Sequence, residues 1–108
     1  MIKRTDGLPK ALKKEIRQLA GVVHERLLGA ELTKLDAQFA RWREGGLDVF
    51  ELAVEVHKFH EGPPRKWWLQ FNTHDLRVLG VMVREALEDG TLRVEEVSAE
   101  ALQFLEGK

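Results

Sequence analysis

Apolar residues recur at helical spacing through the first part of the chain. They begin at Leu12 and follow at intervals of three to five residues as far as Trp42, which keeps one apolar stripe along a helix. We therefore expect a long amphipathic N-terminal helix over about 9–44, continuous or mildly kinked near Gly29. The alternative is two helices joined at Gly29, because glycine weakens a helix interior by about 1 kcal/mol.

A second helix is predicted directly after the Gly-Gly pair at 45–46. Asp48 and Glu51 have the spacing of a capping box, in which each side chain binds a free backbone N–H group at the helix start. The helix should run to about Glu61, because the Gly-Pro-Pro segment at 62–64 ends it.

Three shorter elements follow. A short helix is expected over 65–71 and a longer one over 74–89, with Thr73 as its cap. Ser98 should cap a last short helix, and the stretch 91–97 is the one place where a short strand is conceivable. These elements predict an all-α fold, a compact bundle of five to six helices.

The length of 108 residues fits a single helical domain over residues 1–108, with residues 1–7 as a mobile N-terminal tail. No apolar run reaches the roughly 20 residues that a membrane span needs. We therefore expect a soluble, cytoplasmic protein with no membrane partner.

Composition excludes several kinds of chemistry. Cysteine is absent, so thiolate catalysis, disulfides and thiolate metal sites are excluded. The single serine, Ser98, fits a helix cap better than a nucleophile, and no glycine-rich phosphate loop occurs. A net charge of −1 argues against general binding of nucleic acid, which needs an excess of Lys and Arg. No cofactor is expected.

Two histidines stand out in the predicted helix over 49–61. Apolar residues cover more than half of its circumference, which predicts a central position in the bundle. His57 and His60 lie inside this apolar arc, so we expect both rings to face inward without a metal. The alternative is a metal-binding protein that uses His57 and His60, with further ligands supplied by other helices.

Arg17 and His24 are separated by six residues and return to nearly the same helix face. This spacing resembles the Arg-x4-6-His motif of helical HEPN ribonucleases, and the resemblance covers eight residues. It implies that His24 transfers protons and that Arg17 holds a phosphate. A nucleic-acid-binding or ribonuclease-like protein is therefore a second alternative.

Neighbouring indoles at Trp67 and Trp68 point about 100° apart on a helix, so both cannot enter one apolar stripe. One of them is free to lie in a groove or to contact a partner. Together with the long amphipathic helix, this favours a small helical interaction or regulatory protein that acts through homo-oligomerisation or binding of a protein partner. The expected interface residues are the tryptophans and the apolar positions near the end of the first helix: Trp42, Trp67, Trp68, Phe39 and Leu35.

Overall fold

The computed structural model describes residues 7–106 of the chain. Its longest element is α1, which spans Lys10–Arg43 as one helix of 34 residues. The helix passes through Gly29 without interruption, so the alternative of two helices joined there is wrong. Of the predicted tail over 1–7, only Gly7 lies within the described residues.

A tight turn after α1 leads into two consecutive helices. Helix α2 spans Val49–Glu61 and starts with the predicted capping box of Asp48 and Glu51. The Glu51 backbone N–H donates to Asp48 Oδ1 at 2.7 Å. Helix α3 spans Pro63–Phe71 and begins two residues earlier than expected, because proline is well suited to the first turn of a helix.

The rest of the chain folds back along α1. Helix α4 spans Leu76–Asp89 and is capped by Asp75, whose side chain accepts from the Arg77 backbone N–H. It starts two residues later than predicted, and Thr73 instead accepts a hydrogen bond from the backbone N–H of Asp75 at 3.1 Å. Gly90 ends α4 with a left-handed φ of 85°, a conformation that glycine adopts without strain.

A single 3-10 turn, Val94–Glu96, and a short helix, α5 over Ala99–Leu105, complete the described chain. Ser98 caps α5 as predicted, since its hydroxyl accepts from the Ala101 backbone N–H at 3.1 Å. The segment 91–97 therefore holds a helical turn where a strand was conceivable, and residues 7–106 contain no strand.

The fold is all-α, as predicted, but the number of long helices is smaller than the five to six expected. Four helices, α1 to α4, have nine residues or more. The seven-residue α5 and the three-residue 3-10 turn are the remaining elements. Within residues 7–106, no helix combines the length and the hydropathy that crossing a bilayer requires.

One hydrophobic core joins the first half of α1 to α4, the 3-10 turn region and α5. Its centre is formed by Ile16 and Val83, both with no exposed surface. The buried members on these elements are Leu12, Ile16, Leu19, Ala20, Val23, Leu76, Leu79, Val83, Ala86, Leu92, Val97, Ala101, Phe104 and Leu105.

The molecule is elongated, so the prediction of a compact bundle is wrong. Its principal extents are 56 × 25 × 21 Å and its radius of gyration is 17.4 Å, whereas a compact domain of 100 residues has a radius of about 13 Å. The cause is the length of α1, which at 1.5 Å per residue runs about 51 Å. The core occupies only one end of this helix.

Polar links tie the core end of α1 to the C-terminal segment. Arg26 on α1 donates to the Glu96 carboxylate at 2.8 Å and to the Thr91 carbonyl at 2.9 Å. Glu15, three turns earlier, accepts from the Ser98 backbone N–H and hydroxyl at 2.9 and 2.6 Å. The Arg26 bond holds the pKa of Glu96 down, to about 2.

We predict that Gly29→Ala stabilises the protein by about 0.5–1 kcal/mol, because alanine is the better residue in a helix interior and the added Cβ meets no atom within 4 Å. Gly90→Ala is the control, and its left-handed φ predicts destabilisation by about 1–2 kcal/mol. Urea denaturation measures both. Destabilisation by Gly29→Ala would contradict a continuous α1.

We predict that the Arg26–Glu96 pair makes stability depend on acid pH. The folded pKa of Glu96 lies below the ordinary value of 4.5, so its contribution is complete above about pH 4.5 and is lost as the pH falls towards about 2. The free energy of unfolding should therefore fall less steeply over this range in Glu96→Gln. The exposed Glu85→Gln is the control and should keep the wild-type slope; equal slopes for all three proteins would contradict the prediction.

Candidate functional site

Exposed apolar side chains are concentrated away from the core. We call residues 28–70, which include the second half of α1, all of α2 and most of α3, the distal end. Three of its residues are buried: Leu47, Leu52 and Pro64. Eight of the ten exposed large hydrophobic residues in the described chain lie here, namely Leu32, Trp42, Val49, Phe50, Val54, Val56, Trp68 and Leu69.

Helix α2 lies on the outside of the molecule, so the prediction of a central helix is wrong. Leu52 is buried and Phe59 is half-buried, on the side of the helix that packs against α1. Phe50 and Val54 lie on the opposite side and remain exposed. Phe50, with 79% of its surface exposed, is the most exposed large hydrophobic residue among those described.

The two histidines of α2 are exposed as well, which corrects the expectation that they face inward. The reason is that α1 covers one side of α2, and within residues 7–106 no other helix covers the side that carries His57. His60 Nε2 lies 3.7 Å from Glu61 Oε1. Among the described residues, no group of three or more His, Cys, Asp or Glu side chains is placed to hold a metal ion.

A cleft of about 450 Å³ opens where α1, α2 and α3 meet. This volume falls in the range of small-ligand and side-chain pockets. Arg65 lies at its edge, and its guanidinium is paired with Glu61 at 2.9 Å. The lining combines apolar and nitrogen-bearing side chains from the three helices: His24, Leu28, Phe59, His60, Pro64, Arg65, Trp68 and Leu69.

His24 forms the wall of the cleft nearest the core. Its ring stacks on Phe71 of α3, with ring centroids 4.6 Å apart and planes 5° from parallel. Its Nε2 atom is buried and has no hydrogen-bond partner. Burial lowers the pKa of His24, because a charged imidazolium would lose hydration there.

This environment bears on the ribonuclease alternative. Arg17 is exposed two turns before His24 on α1, so the two residues do share a helix face. The Nε2 atom, however, is buried, and burial lowers the pKa of His24, which favours the neutral ring. His24 packs on Phe71 at the junction of α1 and α3 and also lines the cleft, and the ribonuclease-like role stays a prediction.

The predicted interface residues all lie in the distal end but differ in accessibility. Trp68 is 61% exposed and lines the cleft, and Trp42 is 40% exposed. Trp67 points to the other side of α3, where it is half-buried in a groove beside α4. Phe39 and Leu35 are also half-buried. The two neighbouring indoles thus diverge, as helix geometry requires.

Sequence reasoning missed Phe50 as a surface residue, although the pattern contained a signal. The apolar arc of α2 covers more than half of its circumference, and one neighbouring helix buries a stripe of roughly 100°. An arc of that width needs two neighbours. Inside this chain α2 packs on α1 and, at its end, on α3, so the outer part of the arc remains open.

The chain matches none of the protein-family models, curated proteins or solved structures with which it was compared.

We predict that burial of His24 makes the protein less stable in mild acid. Its folded pKa is below the ordinary value of 6.5, so the unfolded chain binds more protons and stability declines as the pH falls through 6.5. His24→Phe keeps a ring that stacks on Phe71, removes the unpaired nitrogen and should reduce this decline. The exposed His74→Gln is the control and should retain it. Urea denaturation at each pH measures the free energy of unfolding. An equal decline in His24→Phe and in wild type would contradict the prediction.

Proposed function

We propose that this chain is a small helical interaction protein that acts through self-association, and that its distal end is the contact surface. The main support is the small number of buried residues in the distal end compared with its exposed apolar residues. Three residues are buried there and eight large hydrophobic residues are exposed. Concentrated apolar surface of this kind marks interaction sites in folded proteins. A regulatory role through a protein partner would use the same surface.

The length of α1 supports the same proposal. The buried part of this helix ends at Val23, and the helix continues to Arg43, about 30 Å further at 1.5 Å per residue. Helices α2 and α3 pack along this extension but leave Leu32 and Trp42 exposed. The distal end of a second copy of the chain is the simplest partner to cover this surface, because identical subunits commonly pair through the same patch.

Charge also favours association between copies. The net charge is −1, so little long-range repulsion keeps two copies apart. Aromatic residues dominate the energy of many protein interfaces, and the distal end carries Phe50, Trp42 and Trp68 at its surface. We therefore expect Phe50, Trp42 and Trp68 to contribute most to the contact, with Trp67, Phe39 and Leu35 supporting them from half-buried positions.

We predict a mass of about twice 12.4 kDa by light scattering coupled to size exclusion at tens of micromolar, a concentration suited to an interface of modest size. Phe50→Asp should reduce the mass to that of one chain. Its charge is compatible with folding, because residue 50 lies in the first turn of α2, where an acidic side chain is favourable. Trp42→Ala and Trp68→Ala should weaken association.

Val94→Asp is the matched control, since Val94 is 56% exposed but lies at the core end. It should leave the mass unchanged. A wild-type mass of 12.4 kDa across the whole concentration range, unaffected by Phe50→Asp, would remove self-association and with it this proposed function.

A further inference from the structure

The open side of α2 carries a short stripe of two apolar residues and one histidine with coiled-coil spacing. Phe50, Val54 and His57 follow one another at intervals of four and three residues, which places them within about 60° on the helix surface. All three are exposed. Leu52 lies on the reverse side, where α2 packs against α1. The spacing is that of core positions in a two-helix contact.

Two opposite charges flank this stripe along the same edge. Glu51 and Lys58 are seven residues apart and so lie almost in line along the helix. Both are exposed, and the Lys58 ammonium lies 3.6 Å from the Glu55 carboxylate of the same helix. The other edge of the stripe carries Ala53 and His60. The edge with Glu51 and Lys58 therefore carries one charge of each sign, so it can pair with the same edge of a second copy.

This asymmetry distinguishes the two ways in which a pair of identical helices can meet. In an antiparallel pair related by a two-fold axis, an edge faces the same edge of the other copy, so Glu51 of each copy meets Lys58 of the other. In a parallel pair an edge faces the opposite edge, and Glu51 and Lys58 would meet Ala53 and His60. Only the antiparallel arrangement satisfies the charges.

We propose that two copies of this chain pair through antiparallel α2 helices whose two-fold axis passes between Glu55 and Val56. This inference rests on the proposed self-association and gives it a register. Val54 of each copy packs on His57 of the other, and Glu51 forms an ion pair with Lys58 of the other copy. Phe50 of each copy lies level with Glu61 of the other, the last residue of α2 and the next position of the same stripe.

The register is tested by charge reversal in two separate variants, Glu51→Lys and Lys58→Glu. Each variant alone places two like-charged pairs across the contact, and we expect its dimer dissociation constant to rise about tenfold or more at low ionic strength. An equimolar mixture restores both attractive pairs in the mixed dimer. Native mass spectrometry with one variant isotopically labelled should then show mixed dimers in clear excess over either homodimer.

Dimers that form in wild type and in both variants with equal affinity, and mix statistically, would overturn the register while leaving self-association intact. A wild-type chain that stays monomeric throughout would overturn both. Because Glu51 also accepts from the Asp48 backbone N–H at 3.1 Å, circular dichroism must show that Glu51→Lys remains helical.

Disulfide trapping gives a second measurement that does not depend on charge, since the chain has no cysteine of its own. A mixture of Val54→Cys and His57→Cys should oxidise mainly to the mixed disulfide dimer, because these positions face each other across the axis. Phe50→Cys alone should not form a disulfide, since the antiparallel register separates the two copies of residue 50 by about 16 Å along the helix. Efficient trapping of Phe50→Cys would support parallel helices and overturn the proposal.

Discussion

Helix α1 extends far beyond the hydrophobic core that packs on it. Its buried side chains end at Val23, yet the helix continues to Arg43. Nothing in the local sequence stops it earlier, since Gly29 lies in a helix interior with open space around it. The elongated shape, the sparse packing of the distal end and the exposure of α2 all follow from this one length.

Helix α3 links the distal end to the core a second time, beside the continuous α1. Phe71 packs against the core and stacks on His24 of α1, which fixes where α3 leaves the core. Arg26 lies one turn or less from His24 and binds Glu96 in the C-terminal segment. The middle of α1 is thus held from two sides, by a ring stack and by a charged hydrogen bond, whereas its last turns are held by the packing of α2.

An interaction role fits the kind of surface that this arrangement leaves open. Among the described residues, the most exposed large hydrophobic residue, Phe50, and the most exposed indole, Trp68, lie on α2 and α3 of the same end. The outer face of α2 also carries charges of both signs in a pattern that an antiparallel copy would complement. The same helix therefore stabilises the distal end through Leu52 and presents an apolar stripe on its reverse side.

Local sequence signals predicted most of the helices correctly, because capping and helical periodicity depend on residues within a few positions of one another. The capping box of Asp48 and Glu51, the Ser98 cap and the continuous α1 are of this kind. The observed starts of α3 and α4 each differ by two residues from the predicted starts, because neighbouring residues can cap a helix almost equally well.

The side of each helix that is buried could not be predicted in the same way. The arc of α2 is apolar over more than half of its circumference, so several orientations would bury a similar area, and only its contact with α1 selects Leu52 over Phe50. His57 and His60 are exposed for that reason. The stack of His24 on Phe71 joins residues 47 positions apart in the chain. Which face of a helix is buried depends on which residues, distant in the sequence, pack against it. Helical periodicity does not contain this information.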